Sequence, residues 1–448
     1  MSKMSPRVRF APSPTGLLHV GNARTALVNC LYAKKNNGIF ILRLDDTDAE
    51  RGSETYAEGI HQDLKWLGII HQEYYRQSDH LERYQNVINK LEQVGRLYPC
   101  YETPEELDFK RKRLLAQGRP PIYDRSSRNL SSEQMEKYMQ ENRKPHWRFF
   151  LNPGKITWDD LAHGPMEFDA EKLSDPILIR EDGSPVYTLS SVVDDLDMKI
   201  THVIRGNDHI SNTAIQIQLY EAIGGTPADL HFGHLPLIAG EQGESLSKRL
   251  GSISLQSLRE EGIDPMAINS YLASLGTSNE VKASYYLEAL VTDFDLKKFG
   301  QASPKFSLDV LWRLNEKLLH NMSFEMARPK LHALNLSHIT ESFWNAMRGN
   351  LKKIKDIGHY WSVCNESITP VIEDRPFILT AKSLLPDTPW DEFTWQKWTD
   401  ALKEQTGRQG KELFRPLRLA LTGEEHGPEM KKLLLAIGPE KTIERLSV

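Results

Sequence analysis

The stretch Arg9-Phe10-Ala11-Pro12-Ser13-Pro14-Thr15-Gly16-Leu17-Leu18-His19-Val20-Gly21-Asn22 decides how the chain is read. It follows an alternating segment containing Val8 and Phe10. It precedes a stripe in which Ala23, Ala26, Leu27, Cys30 and Leu31 recur at helical spacing. Beyond that stripe, Ile39-Phe40-Ile41-Leu42-Arg43-Leu44 is a dense apolar run of strand length. Tyr56, Ile60, Leu64 and Leu67 then form a second helical stripe, stopped at Gly68. Strand, helix, strand, helix at this spacing predicts an α/β fold with a doubly wound parallel sheet. In such sheets ligands bind beyond the carboxyl ends of the strands, where helix amino ends present free N–H groups. Two prolines stiffen the connecting loop, Gly16 and Gly21 allow close backbone approach, and His19 at the helix entrance is placed to donate to a phosphate.

Working outward, the alternating pattern breaks near residue 85. From about 98 to 183 the chain reads as irregular, rich in proline and aromatics, with a very basic helix candidate at Lys110-Arg111-Lys112-Arg113. The pattern then returns. His202-Val203-Ile204-Arg205 reads as a buried strand, Thr213 to Ile223 as a helix, and Leu235-Pro236-Leu237-Ile238 as a short strand. A sheet interrupted by an insertion explains this better than a structureless loop of that length. After about 250 the strand signals thin out, and Leu308, Leu311, Trp312, Leu314, Leu318 and Leu319 open a run of amphipathic helices. The expected division is 1–84 with 184–240 as the sheet domain, 85–183 as an α+β insertion, 241–322 as a connecting region and 323–448 as an all-α region.

Composition narrows the function classes. The 448 residues carry 61 acidic and 56 basic side chains, a formal charge of −5, which excludes a uniformly basic nucleic-acid coat but not a local basic face. The hydrophobic fraction of 39% suits a globular chain rather than a disordered one. Cys30, Cys100 and Cys364 lie too far apart for a disulfide framework or a four-cysteine zinc site. No apolar run is long enough to span a bilayer, so no membrane partner and a cytoplasmic location are expected.

A second segment sharpens the first. Ser245-Leu246-Ser247-Lys248-Arg249 follows the last strand candidate within a glycine-containing stretch. Alone, such a tract is more often a solvated surface loop. Paired with the His-x-Gly turn it suits stabilisation of charge on phosphate oxygens by a lysine on a glycine-flanked loop. At these residues the sequence resembles a class I aminoacyl-tRNA synthetase of the bacterial glutamyl type. His19-Val20-Gly21-Asn22 is similar to the first family signature and Ser245-Leu246-Ser247-Lys248-Arg249 to the second. The glutamyl likeness rests on Arg9 to Gly16, Arg43-Leu44-Asp45-Asp46-Thr47-Asp48, Val186-Tyr187 through Val192-Val193-Asp194-Asp195, and Val203-Ile204-Arg205-Gly206. Gly410-Lys411-Glu412-Leu413-Phe414-Arg415-Pro416-Leu417-Arg418 and Ala420-Leu421-Thr422-Gly423 extend it to the far end.

The resemblance implies a Rossmann-like catalytic domain, an insertion that grips the tRNA acceptor end, a stem-contact region and a helical anticodon-binding region. It implies that glutamate is activated with ATP to glutamyl-adenylate and passed to the terminal ribose of tRNA(Glu), with tRNA(Gln) an open second acceptor. His19 and Lys248 are implied as electrostatic stabilisers, with Gly21, Asn22, Ser247 and Arg249 also at ATP. Arg9, Ala11, Ser13, Asp45, Tyr187 and Arg205 are implied at glutamate. Mg2+ is expected with the nucleotide, no zinc is expected, and the enzyme is expected to act as a monomer.

Plainer readings stand beside these. Arg9 pairs with Asp46, Tyr187 is a half-buried strand residue, and Asp46 and Asp48 are caps and turn formers, leaving Asp45 alone for the substrate. Three positions depart from the family pattern. Ser245 replaces a lysine, Asp45 is a methylene shorter than the usual glutamate, and Asn207 stands where relatives often carry glutamate, beside Asp208 and His209, which fit. Ser245 keeps open an alternative, a catalytically weakened paralogue that binds tRNA without charging it.

Overall fold

The computed structural model describes residues 5–47, 52–241 and 253–447. Two compact units share them: 1–261 with 268–307, and 262–267 with 308–448.

The first unit is built on a seven-stranded sheet. Strand β1 (Arg7–Phe10) pairs in parallel with β2 (Ile39–Leu44), and β2 pairs in parallel with β3 (Glu73–Arg76). On its other side β1 meets β9 (His202–Gly206), followed by β10 (His231–Leu235), β6 (Lys155–Asp160) and β7 (Gly164–Asp169). The strand order reverses at β1, so the crevice between the carboxyl ends of β1 and β9 is the topological switch point. Five of the six residues of β2 are buried, as a strand covered on both faces requires. Helix α1 (Val20–Lys35) packs Ala23, Ala26, Leu27, Cys30 and Leu31 inward. Its return to β2 runs through Gly38, where a Cβ would stand 2.2 Å from the Pro6 carbonyl oxygen. Helix α2 (Glu54–Trp66) is capped by the Ser53 side chain, and Gly68 takes a left-handed φ of 71° just after it ends.

The stretch expected to be irregular is largely ordered. After α3 (Leu81–Gln93), β4 (Leu97–Cys100), β5 (His146–Phe149) and β8 (Ile177–Ile179) form a separate antiparallel sheet. The α4 (Pro104–Ala116) and α5 (Ser132–Gln140) helices lie in the β4–β5 connection. The hairpin β6–β7 does not join that small sheet. It completes the edge of the large one, with Asp160 in register with Phe232 of β10. The insertion expected over 85–183 therefore lends strands to the large sheet. Sequence periodicity could not show this, because the hairpin's partner lies some seventy residues downstream.

Two further expectations need correction. Tyr187 opens helix α6 (Tyr187–Asp197) rather than sitting in a strand. Strand β10 ends at Leu235, so Pro236 to Ile238 lie beyond it on the cleft wall. Helix α7 (Ile210–Ala222) closes this face of the sheet.

The second unit is helical in its described residues, from Leu308–Asn321 to Pro439–Arg445. Its main run starts at Leu308. Trp344 and Trp398 are fully buried, each donating its indole N–H to a backbone carbonyl, of Met322 and of Ala381.

Candidate active site

A cleft of about 720 Å³ opens at the switch point, walled by the β1 end, the α1 amino end, the β9 end and the segment after β10. His19 is the N-cap of α1. Its Nδ1 accepts the backbone N–H of Gly21 at 3.0 Å and of Asn22 at 3.4 Å, while Asn22 Oδ1 accepts the His19 N–H at 3.1 Å. A nitrogen that accepts two backbone donors carries no proton, so the neutral ring holds its hydrogen on Nε2. Burial lowers the His19 pKa, favouring this neutral form. The motif thus presents one fixed N–H donor, Nε2–H, at the helix amino end, where the helix dipole favours an anion while the Gly21 and Asn22 N–H groups are taken up by the cap. Gly21 permits it, since a Cβ there would lie 2.9 Å from the imidazole Cε1.

Arg205, at the end of β9, is 5% exposed and lines the same cleft. Its Nη2 donates to Thr213 Oγ1 at 2.7 Å and its Nε lies 3.5 Å from His234 Nε2. Its Nη1 is buried and has no hydrogen-bond acceptor. Burial lowers the Arg205 pKa, with the Tyr187 hydroxyl and Asp195 acting in the opposite sense. An unpaired, desolvated guanidinium nitrogen on a cleft wall is suited to an anionic ligand.

Behind the wall both arginines are paired with carboxylates. Arg9 gives Nε and Nη2 to Asp195, at 3.0 and 3.3 Å. Arg43, fully buried, gives Nε and Nη2 to Asp45 at 2.6 and 3.2 Å and Nη1 to Asp195 at 2.8 Å. Asp194 accepts from Gln77 and Tyr84 and stands 3.9 Å from Arg43. Arg9 therefore pairs with Asp195 and not Asp46. Asp46 accepts from Arg76 and from the Ser78 N–H, and the cap of α2 is Ser53.

The structure brings Arg9, Ala11, His19, Gly21, Asn22, Tyr187 and Arg205 onto one cleft wall. Ser13 and Asp45 are not among the lining residues. Ser13 is exposed, and both Asp45 oxygens are engaged by Arg43. Ser245, Ser247, Lys248, Arg249 and Asp48 lie outside the described residues. The described flanks of that loop do reach the site, because Ala239 lines the cleft and Ser254 bridges to His19. Sequence reasoning missed Arg24, whose guanidinium donates to the carbonyls of Pro236 at 2.7 Å and Leu275 at 3.1 Å, fastening α1 to the opposite wall. It also missed Asp160 and His234. Each sits in a segment read as an ordinary strand or loop, without a motif to mark it.

Residues 6–313 match the family model for the class I tRNA synthetases (E and Q), catalytic domain, and residues 373–448 match an anticodon binding domain. The chain is 51% identical to a glutamate–tRNA ligase of Azospirillum brasilense, with 99% of each chain covered. It is 50% identical to a glutamate–tRNA ligase 1 of Parvibaculum lavamentivorans, over 99% of this chain and 98% of that one. Its fold matches the crystal structure of a glutamate tRNA ligase from Elizabethkingia meningosepticum in complex with its amino acid, at a TM-score of 0.81 and 30% identity, over 99% of this chain and 98% of that one. A cleft at the switch point, a helix capped by a neutral histidine and likeness along nearly the whole length lead to one family: the chain belongs to the glutamate–tRNA ligases, ATP-dependent aminoacyl-tRNA ligases of class I.

Proposed function

We propose that this cleft joins glutamate to ATP with His19 and Lys248 on the phosphates and Arg205 on the glutamate side-chain carboxylate. The observation that carries this reading is Arg205 Nη1, buried without an acceptor on the wall that also holds His19. Glutamate supplies the missing acceptor, and glutamine, which is uncharged there, supplies a weaker one. Tyr187 stands beside Arg205, and Arg9 with Ala11 shapes the other side of the amino-acid pocket.

In the first step the α-carboxylate attacks the α-phosphorus and pyrophosphate leaves. Negative charge grows on the phosphate oxygens, where the His19 Nε2–H, the α1 amino end and the Lys248 ammonium stabilise it without taking a proton. Gly21, Asn22, Ser247 and Arg249 complete the nucleotide contacts. Magnesium would arrive on ATP. Asp208 is the one carboxylate on the described cleft wall, and no described group of three His, Cys, Asp or Glu residues could hold a cation. The second step passes the glutamyl group to the terminal ribose of tRNA.

Helix α4 fits the acceptor end of tRNA through Arg111 and Arg113, which are exposed. Lys110 and Lys112 are tied to Glu102 and Asp108. The carboxylate of Glu102 also accepts from Cys100, Tyr123 and Ser127, which fastens this part of the insertion. Both tRNA(Glu) and tRNA(Gln) remain acceptors to be tested, with the enzyme acting as a monomer in the cytoplasm.

ATP–pyrophosphate exchange, run with glutamate and with glutamine, with and without tRNA, tests the proposal. Exchange with glutamate is expected. None under any condition would remove the catalytic reading and favour a weakened, tRNA-binding paralogue. Charging of the two purified tRNAs then fixes the acceptor.

A further inference from the structure

Arg205 can meet a carboxylate in a fixed geometry only if its own guanidinium is held. His234 is its cross-strand neighbour in the parallel β9–β10 register, and Thr213 of α7 packs onto the same face. Asp160 reaches this face from the end of β6, because the hairpin joins the sheet beside β10. Thr213 and His234 are fully buried, and Asp160 is 3% exposed.

The direction of each hydrogen bond follows from Asp160. Its Oδ1 accepts the N–H groups of Ala162, His163 and His234, at 3.0, 3.1 and 3.2 Å. Its Oδ2 accepts the Trp158 indole N–H at 3.3 Å and lies 2.5 Å from His234 Nδ1. Burial would raise this carboxyl, but the His234 imidazole and the backbone donors hold it down at about 2, so it is ionised. An ionised carboxylate only accepts, which fixes the His234 proton on Nδ1 and leaves Nε2 as an acceptor. The Thr213 hydroxyl has the His209 carbonyl at 3.3 Å and His234 Nε2 at 3.0 Å as acceptors; it donates to the nearer, Nε2, and its oxygen receives Arg205 Nη2 at 2.7 Å. The opposite tautomer would aim Nε2–H at the Arg205 Nε–H, donor against donor.

We infer that Asp160, His234 and Thr213 form a relay that clamps the Nε and Nη2 edge of Arg205, so that Nη1 is presented to glutamate; the three are positioning residues for amino-acid selection. The inference rests on the proposed reading of Arg205 as the glutamate-binding cation.

The test uses the full-length enzyme in pyrophosphate exchange, with tRNA present, and reads KM for glutamate and for ATP separately. Thr213→Val keeps the side-chain shape and removes the hydroxyl. It is expected to raise KM for glutamate about 10- to 100-fold, with KM for ATP and kcat changed less than about threefold. Asp160→Asn, which no longer dictates the tautomer, is expected to move the same constant. Thr213→Ser, which restores the hydroxyl, is expected to recover most of the loss. A merely structural role would instead raise both Michaelis constants or lower the melting temperature alike in Thr213→Val and Thr213→Ser, and that would overturn the relay. Arg205→Ala separates the two readings. If it cripples glutamate use while Thr213→Val and Asp160→Asn leave KM for glutamate within about twofold, the relay is wrong and Arg205 stands. If Arg205→Ala itself spares the preference for glutamate over glutamine, the reading beneath it falls.

Discussion

Two buried arginines stand at the carboxyl ends of strands in one sheet, and they are completed in opposite ways. Arg43, at the end of β2, has Asp45, Asp195 and Ser191 around it, and each of its three guanidinium nitrogens donates to an acceptor. Arg205, at the end of β9, has a threonine hydroxyl, a histidine nitrogen and a carbonyl, and Nη1 is left over. Both are desolvated. Only the second keeps a charge that nothing in the described protein neutralises directly, since the nearby Asp195 is committed to Arg9 and Arg43. A desolvated cation is costly unless something pairs with it. The closed site therefore reads as structure and the open one as a place for a ligand. Residue type does not separate them; the count of unmet donors does.

The sharpest way to break this contrast is Asp195→Ala. It strands Arg9 and Arg43 in the interior without their shared carboxylate, and loss of one partner of a buried pair typically costs about 3–5 kcal/mol. The unfolding transition of the catalytic unit in denaturant should shift by that amount, and a shift below about 1 kcal/mol would show that the closed site is not structural. Arg205→Ala should do the reverse. We expect kcat/KM for glutamate to fall about 10²–10³-fold, roughly 3–4 kcal/mol of transition-state stabilisation. Stability should change by less than about 1 kcal/mol, because the removed group was already short of an acceptor. If Arg205→Ala destabilises as much as Asp195→Ala, the two sites are alike and the distinction fails.

The catalytic sheet was legible in the sequence wherever neighbouring strands are close along the chain. β1, α1, β2 and α2 follow one another, and their apolar spacing carried the doubly wound reading. The family resemblance carried the candidate residues, and Arg9, His19, Tyr187 and Arg205 meet in one cleft. The partners of those residues were not legible. Arg9 finds Asp195 across 186 positions, and Arg205 is held by Thr213, which His234 and Asp160 orient from strands far apart in the chain. Asp45 looked free although extended backbone puts residues two apart on the same side, because spacing alone does not say that Arg43, near the end of β2, would close onto it as an ion pair. The β6–β7 hairpin was hidden for a related reason. A strand pair without a long apolar run gives a weak local signal, and its place on the large sheet is decided by β10.

On the open side a smaller effect is expected from Gly21→Ala. The added methyl would stand 2.9 Å from the His19 ring, and the ring must move because the helix backbone is fixed by its own hydrogen bonds. Displacing it breaks the two contacts to Nδ1 that keep the proton on Nε2. Adenylate formation should drop about 10- to 100-fold, read as exchange rate at saturating glutamate, with KM for glutamate nearly unchanged. A rise in that constant instead would place His19 with the amino acid rather than the phosphates.

The last effect, and the most telling about the closed site, is one of pH and concerns Asp194. Three carboxyl groups, Asp45, Asp194 and Asp195, share the interior with Arg9 and Arg43, so one negative charge is in excess. Burial pushes Asp194 up to about 7, against the pull of Arg43, Gln77 and Tyr84, and Asp45 adds to the rise. Its proton is thus held more tightly folded than unfolded, where a carboxyl titrates near 3.9. The stability that this proton contributes is complete below about pH 4 and is lost as pH rises through 7, at up to ~1.4 kcal/mol per pH unit. Asp194→Asn imitates the protonated form permanently. Near pH 4 the variant and the parent should match within about 1 kcal/mol, and between about pH 4 and 7 the variant should gain relative to the parent, with little further change above 7. Melting curves at about pH 4, 5.5 and 7 check the sign. A variant that loses ground as pH rises would mean that Asp194 is ionised throughout, and that the closed site carries more negative charge than its two arginines can balance.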